Sequence, residues 1–232
     1  MAAQLFVHVL WAGSGPRIWR ELVEDFERSG IDSIVESIFV SLIIDPSQEK
    51  EFLHTICKHP KIKVITQSDD PSVYEWPALK MMKDHCSAHP GDFVGYIHTK
   101  GASNEGRKDV PARISENIRK WRRAMVRDVI YGVDMCHHFL RKGFATAGPF
   151  LGLYDKEVRH VYMYSGNAWW AHASYINTLE ITSEDLTMRN RAEEWVCKGA
   201  DSRHASTTPL PQLDLYDFSG VYGDKGPLGD IT

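Results

Sequence analysis

Hydrophobic positions change their period in a regular order over the first half of the chain. The run "LFVHVLW" (5–11) is short, apolar and rich in β formers, and the breaker "AGSGP" follows it. In "RIWRELVEDFERSG", Ile18, Leu22, Val23 and Phe26 recur at helical spacing and Gly30 closes the segment. The same sequence of signals repeats: a strand over 34–44, a helix over 46–59 with Pro46 early in it, and a strand over 61–67. A polar loop, "SDDPSVYEWPAL", leads into a helix expected over Trp76 to Ala88, and "GDFVGYIHT" is the fourth strand. This βαβαβ alternation predicts a mostly parallel central sheet flanked by helices.

From Pro111 to about Lys142 one long helix is expected. Ile114, Ile118, Trp121, Met125, Val129, Val133 and Leu140 form its apolar stripe, and Arg119, Lys120, Arg123 and Arg127 lie on the opposite, solvated side. Arg122 falls near the edge of the stripe. The pattern then changes. "FATAGPFLGLY" and "HVYMYSGNAWWAHASYI" read as strands, and "TMRNRAEEWVCKG" reads as a short helix ended by Gly199. The chain is thus expected to form one α/β domain with an α+β annex over 1–201. Residues 202–232, rich in Pro, Gly, Ser, Thr and Asp, are expected to wrap the surface or fray.

Composition narrows the function classes. With 43% hydrophobic and 25% charged residues among 232, the chain is an ordinary globular protein with a substantial core. A net charge of −4 argues against a broad nucleic-acid-binding surface. No apolar run approaches the roughly 20 residues of a membrane span, and "MAAQLFVHVLWAG" lacks a basic leader region, so a cytoplasmic location is expected. Cys57, Cys86, Cys136 and Cys197 lie far apart with no CxxC pair, as buried free thiols would.

In open parallel sheets ligands bind at the carboxyl ends of the strands. The residues placed there are Ala12 to Gly15, then Asp69 and Asp70, then "HTKGAS" from His98. Lys100 could neutralise a diphosphate, with Gly101 letting backbone N–H groups approach the same oxygens. His98 ends the strand and suits a hydrogen-bonded structural histidine better than a metal ligand or base. Glu75 in "YEWP" starts a helix, where a carboxylate either caps or meets a nucleoside. In "SGNAWWA", Trp169 and Trp170 point to opposite faces of a strand, one into the core and the other free to stack on a sugar. Asn167 beside them suits hydroxyl recognition. Glu193 and Glu194 of "RAEEW" are either solvated or placed to take a proton from an acceptor hydroxyl.

"YEWPAL", "GYIHTKGAS", "WRRAM", "SGNAWWA" and "AEEW", in this order, resemble a family of GT-A-type glycosyltransferase domains of large algal viruses and bacteria that includes a chlorovirus-encoded enzyme. The resemblance runs from the first strand to about Gly199. It implies a GT-A-like fold and transfer of a sugar from a nucleotide-diphosphate sugar, a UDP-sugar foremost, to a hydroxyl of a glycan or other acceptor. It assigns Asp69, Asp70, Tyr74, Glu75, His98, Thr99, Lys100 and Gly101 to the nucleotide sugar. Asn167, Trp169 and Trp170 fall to the sugar or acceptor, and Glu193 or Glu194 to the catalytic base. Where such enzymes carry an Asp-x-Asp that holds Mn²⁺ or Mg²⁺, this chain reads His98, Thr99, Lys100. The cation is then either supplied by Lys100, aided by His98 and an arginine such as Arg122, or held by a metal through Asp70. The alternatives are a nucleotide-sugar- or carbohydrate-binding domain without catalysis, and a hydrolase or nucleotidyltransferase on a similar sheet. No GxSxG, HExxH or P-loop supports the last of these.

Overall fold

The computed structural model describes residues 1–56, 59–156, 159–199 and 203–208. Strands β1 (Ala3–Leu10), β2 (Ser37–Ile43), β3 (Ile62–Ser68) and β4 (Phe93–His98) alternate with helices α1 (Gly15–Ser29), α2 (Glu49–Ile56) and α3 (Trp76–Ala88). Helices α4 (Ala112–Val126) and α5 (Val133–Arg141) follow, then β5 (Thr146–Gly148), β6 (Leu151–Lys156), β7 (Arg159–Tyr164) and β8 (Trp169–His172). Helices α6 (Ala173–Thr178) and α7 (Arg189–Glu194) and strand β9 (His204–Ser206) complete the order.

The main sheet runs β3-β2-β1-β4-β8-β5-β9, and β6 pairs with β7 in a separate hairpin. Strands β1 to β4 are parallel, while β8 is antiparallel to both β4 and β5. This is the expected α/β class: a mostly parallel sheet flanked by helices, with an α+β annex. Side chains of β1 alternate between two cores, as the period of two requires. Leu5, Val7 and Val9 pack with α1, α2, α4 and α5. Phe6 packs on the other face with α3, α6 and α7.

Three segments differ from the sequence reading. The long helix is interrupted by a π-helical turn, Arg127–Tyr131, ending at Gly132, so its apolar stripe continues across a change of hydrogen-bond period. Ala173–Thr178 is helical rather than extended. "FATAGPFLGLY" splits at Phe150 (φ 58°) into β5 of the main sheet and β6 of the hairpin.

Beyond residue 201, β9 pairs in parallel with β5 as an edge strand, and Thr207 and Thr208 donate to Asp128 Oδ2 at 2.6 Å each. The remainder of the expected tail, 209–232, lies outside the described residues, as does Cys57. Cys86 and Cys136 are buried free thiols, whereas Cys197 is partly buried. Among the described residues no helix is long and apolar enough to cross a membrane.

Candidate functional site

Two loops meet at the carboxyl ends of β1 and β4. Gly13 (φ 56°) approaches the loop after β4 so closely that a Cβ there would stand 2.6 Å from Ala102 O. Ser14 N donates to Ala102 O at 3.0 Å and Ser14 Oγ to Glu105 O at 2.5 Å. Thr99 Oγ1 accepts from Leu10 N at 3.0 Å, so this hydroxyl ties the ends of the two strands together. The Gly-rich turn of the sequence is thus a packing device for the "HTKGAS" loop.

Glu75, at the start of α3, is buried, and its carboxylate is the hub of a network. Oε2 accepts from Tyr96 Oη at 2.8 Å and from Asn167 Nδ2 at 2.6 Å, while Oε1 lies 3.2 Å from His98 Nδ1. His98 Nε2 stands 2.9 Å from Gly166 O. Each ring nitrogen thus faces an oxygen, and Gly166 O, which can only accept, places the neutral ring's proton on Nε2. Burial lowers the His98 pKa to about 3, with Lys100 adding to the effect, so the ring resists a net positive charge. Asn167 (φ 50°) also donates to Ala192 O at 3.2 Å and accepts from Trp169 Nε1 at 2.8 Å. The network joins the start of α3, the end of β4, the β7–β8 turn and α7.

Lys100 is 8% exposed. Its Nζ sits 3.9 Å from the centroid of a Trp121 ring and 3.9 Å from Glu193 Oε1, beyond hydrogen-bond reach. Burial depresses its pKa, against the opposing pull of Glu193 and Glu75. Gly101 (φ 91°) lets the chain turn past Ile118, whose Cγ2 would lie 2.5 Å from any Cβ. Glu193 is partly buried on α7, and Glu194 pairs with Arg191 at 3.3 Å.

Other expected residues lie elsewhere or are otherwise engaged. Trp169 and Trp170 are both fully buried. Trp169 stacks on Tyr96 at 5.5 Å, and the Trp170 ring lies over Gly95, where a Cβ would stand 2.7 Å away. Trp170 Nε1 donates to Val129 O at 2.8 Å. Neither offers an open face to a sugar, because the gap made by Gly95 and the antiparallel partner strand take both rings into the core. Arg122 is buried and committed: it donates to Glu105 Oε2 at 2.5 Å, Lys100 O at 3.1 Å and Glu21 Oε2 at 3.2 Å. Burial works against the charge of Glu105, but Arg122 and Arg17 hold its carboxyl below the usual range.

Asp69 and Asp70 are exposed, and Asp70 accepts from Ser72 N at 2.8 Å as a turn cap; the Ser72 side chain first, and then this backbone N–H, lower its pKa. Tyr74 is half-buried at φ 49°, the strained step into α3. Among the described residues no three His, Cys, Asp or Glu side chains converge as a metal group. The sequence reading missed Tyr96, Trp121, Glu105 and Arg17. Only Tyr96 carried a signal, two residues before His98 and so on the same face of β4.

Comparison with known proteins adds the family. The model of a family described as "Domain of unknown function (DUF8361)" matches residues 16–209. No curated protein matches the sequence significantly. Among solved structures, the chain is similar to a 4-diphosphocytidyl-2C-methyl-D-erythritol synthase at 9% identity and a TM-score of 0.42, covering 88% of this chain and 87% of that one. It is similar as well to the 4-diphosphocytidyl-2C-methyl-D-erythritol synthase of Anaerococcus prevotii DSM 20548, at 9% identity and a TM-score of 0.45, covering 93% and 90%.

Proposed function

We take as premise that the chain belongs to the DUF8361 family, a domain family of unknown function, and propose that it transfers a sugar from a nucleotide-diphosphate sugar, a UDP-sugar foremost, to a hydroxyl of a glycan or other acceptor. The observation that carries this reading is Lys100: a buried ammonium at the carboxyl edge of a parallel sheet whose Nζ has, among the described residues, no hydrogen-bond acceptor in reach and one carboxylate at 3.9 Å. A buried cation that meets, among the described residues, an indole face and a distant carboxylate is short of charge partners, and an anionic ligand supplies them. A diphosphate fits that need, and the strand end is where such ligands bind.

In the proposed reaction the acceptor oxygen bonds to the anomeric carbon as the bond from that carbon to the phosphate oxygen breaks. Negative charge grows on the departing nucleoside diphosphate, where the Lys100 ammonium stabilises it. Glu193 takes the acceptor's hydroxyl proton in an inverting enzyme and orients the acceptor in a retaining one. Glu194, paired with Arg191, is the weaker candidate. Glu75, His98 and Asn167 position the loop and α7 around these two groups. A Mn²⁺ or Mg²⁺ ion would rely on Asp70 with phosphate and water oxygens. The described donor set gives that little support, since Asp70 already caps a turn.

The test is a thermal-shift screen of UDP-, GDP- and dTDP-sugars, each with Mn²⁺ and with EDTA, followed by assay of sugar release. One nucleotide sugar should raise Tm, and Lys100→Ala should remove most of that rise and lower turnover at least about tenfold, the effect of losing about 1.4 kcal/mol of transition-state stabilisation. If no nucleotide stabilises the protein, the reading falls. Stabilisation without sugar transfer or release identifies a binding domain instead.

A further inference from the structure

On the α3 face of the sheet lies a cavity of about 690 Å³, with neither Lys100 nor Glu193 among its lining residues. We propose that it binds a planar, uncharged heteroaromatic molecule of nucleobase size, through an aromatic wall and a row of polar atoms that the protein itself leaves unpaired. The volume falls within the roughly 300–1,000 Å³ of small-molecule sites, which combine mostly apolar walls with a few placed polar groups.

The wall is aromatic. Phe6 and Phe39 stand 5.1 Å apart at 37°, and the His85 ring lies 5.6 and 5.7 Å from them. Trp76 and Met81 of α3 close the opposite side. Rings arranged in this way favour an aromatic guest that stacks offset or edge-on. At the border of the cavity Lys80 and Asp84, one turn apart on α3, carry opposite charges, so the site makes no demand for a charged ligand.

The polar row arises from strand register. His8 of β1 pairs with Ser41 of β2, and Ser41 pairs with Thr66 of β3, so the three side chains share the α3 face. A bulge is needed for this alignment. Val40 opposes Val64 while Ser41 opposes Thr66, which leaves Ile65 as the extra residue, 51% exposed and lining the cavity. His8 Nδ1, Ser41 Oγ, Thr66 Oγ1 and Trp76 Nε1 are buried and have no hydrogen-bond partner among the described residues.

Native structures rarely leave such a group unpaired, and here those of His8, Ser41 and Thr66 lie in one cross-strand row, with that of Trp76 on the helix that covers this face. Thr66 and Trp76 line the cavity itself, with Ser41 and His8 next along the row. An aliphatic guest would leave these atoms unpaired. A heteroaromatic ring gives its faces to the partly exposed Phe39 and His85, with the fully buried Phe6 behind them, and its donor and acceptor edge to Thr66, after rotation about χ1, and to Trp76, after its indole tilts out of its buried position.

Adenine is the probe. Titrated into ¹⁵N-labelled protein at millimolar concentration, it should shift the Trp76 indole N–H resonance, assigned by its loss in Trp76→Phe, along a saturating curve. Thr66→Val keeps the shape and removes the hydroxyl, and should weaken adenine about threefold to tenfold with Tm unchanged, the worth of one hydrogen bond. Ile65→Glu, at an exposed position, should weaken it further. Cyclohexanol, saturated and lacking a stacking face, should leave the resonance in place. Lys100→Ala should bind adenine as the unaltered protein does, which separates this site from the proposed transferase centre. An unmoved Trp76 resonance, wild-type affinity in both Thr66→Val and Ile65→Glu, or equal binding of cyclohexanol would overturn the proposal.

Discussion

Gly101 decides where Lys100 points. Its φ of 91° is costly to any residue with a Cβ, and a methyl group would meet Ile118 Cγ2 at 2.5 Å. Gly106 has a similar φ of 78°, but its Cβ would find only Ser14 Oγ, at 3.4 Å. The comparison separates backbone strain from overpacking. Gly106→Ala should cost about 1–2 kcal/mol, the left-handed penalty alone. Gly101→Ala should cost about 2–4 kcal/mol, because α4 must also move aside. Urea denaturation of the two variants measures the difference, and equal costs would show that the Ile118 contact relaxes freely. At this scale the sequence revealed the cationic turn of His98, Thr99, Lys100 and Gly101, since strand ends and glycines leave local signatures. It did not reveal that Glu75 and Asn167 bond to each other at 2.6 Å, because 92 residues separate them and nothing local marks the pairing. The tryptophans misled for a related reason. Alternation predicts opposite faces, and here both faces of β8 are covered.

Elements were legible where one period ran uninterrupted, which is why β1 to β4 and α1 to α3 match their expected places. The segment from Pro111 to Lys142 was legible as a helix but not as two. A π turn keeps apolar residues close to helical spacing, so the stripe Trp121, Met125, Val129, Val133 passes through it unbroken. That turn places Asp128 inward, where Thr207, Thr208 and Arg127 converge on its carboxylate. Asp128 thereby fastens the chain after β9 to the helical layer. Asp128→Ala should destabilise the protein by about 2–4 kcal/mol, from lost hydrogen bonds to a charged acceptor. The loss should be uneven. Amide exchange at Ala205 and Ser206 in β9 should accelerate far more than at Val7 or Val40 in the central strands. Uniform acceleration would mean that Asp128 supports the whole fold rather than the edge strand.

Over the whole molecule, burial of neutral histidines sets the response to acid. His8 and His98 are buried side by side as cross-strand partners of β1 and β4, and His137 is buried against Phe93 and Trp170; burial is the largest cause of lowering in each: to about 4, about 3 and about 4. His204 is lowered by burial as well. For His8 the Glu75 charge opposes the shift, and for His137 the Asp134 charge does, but neither restores the ordinary value of 6.5. Each ring binds its proton more readily in the unfolded chain than in the native one. Unfolding therefore takes up protons between the unfolded value near 6.5 and the native values near 3 to 4, and stability falls as pH falls across that window. The histidine contribution is fully present above about pH 6.5. Carboxylates held low by their partners, such as Glu105 and Asp185, add their own losses only below their unfolded values of 4.5 and 3.8. The interval from about pH 6 to 5 thus belongs to the histidines. Urea unfolding across it should show an uptake of about three protons, with His204 adding part of a fourth. His137→Phe keeps the aromatic contacts with Phe93 and Trp170 and should reduce the uptake by about one. A stability that stays flat from pH 7 to 5 would show that these rings are already charged in the native protein. His98, with an acceptor on each nitrogen, would then be the first to examine.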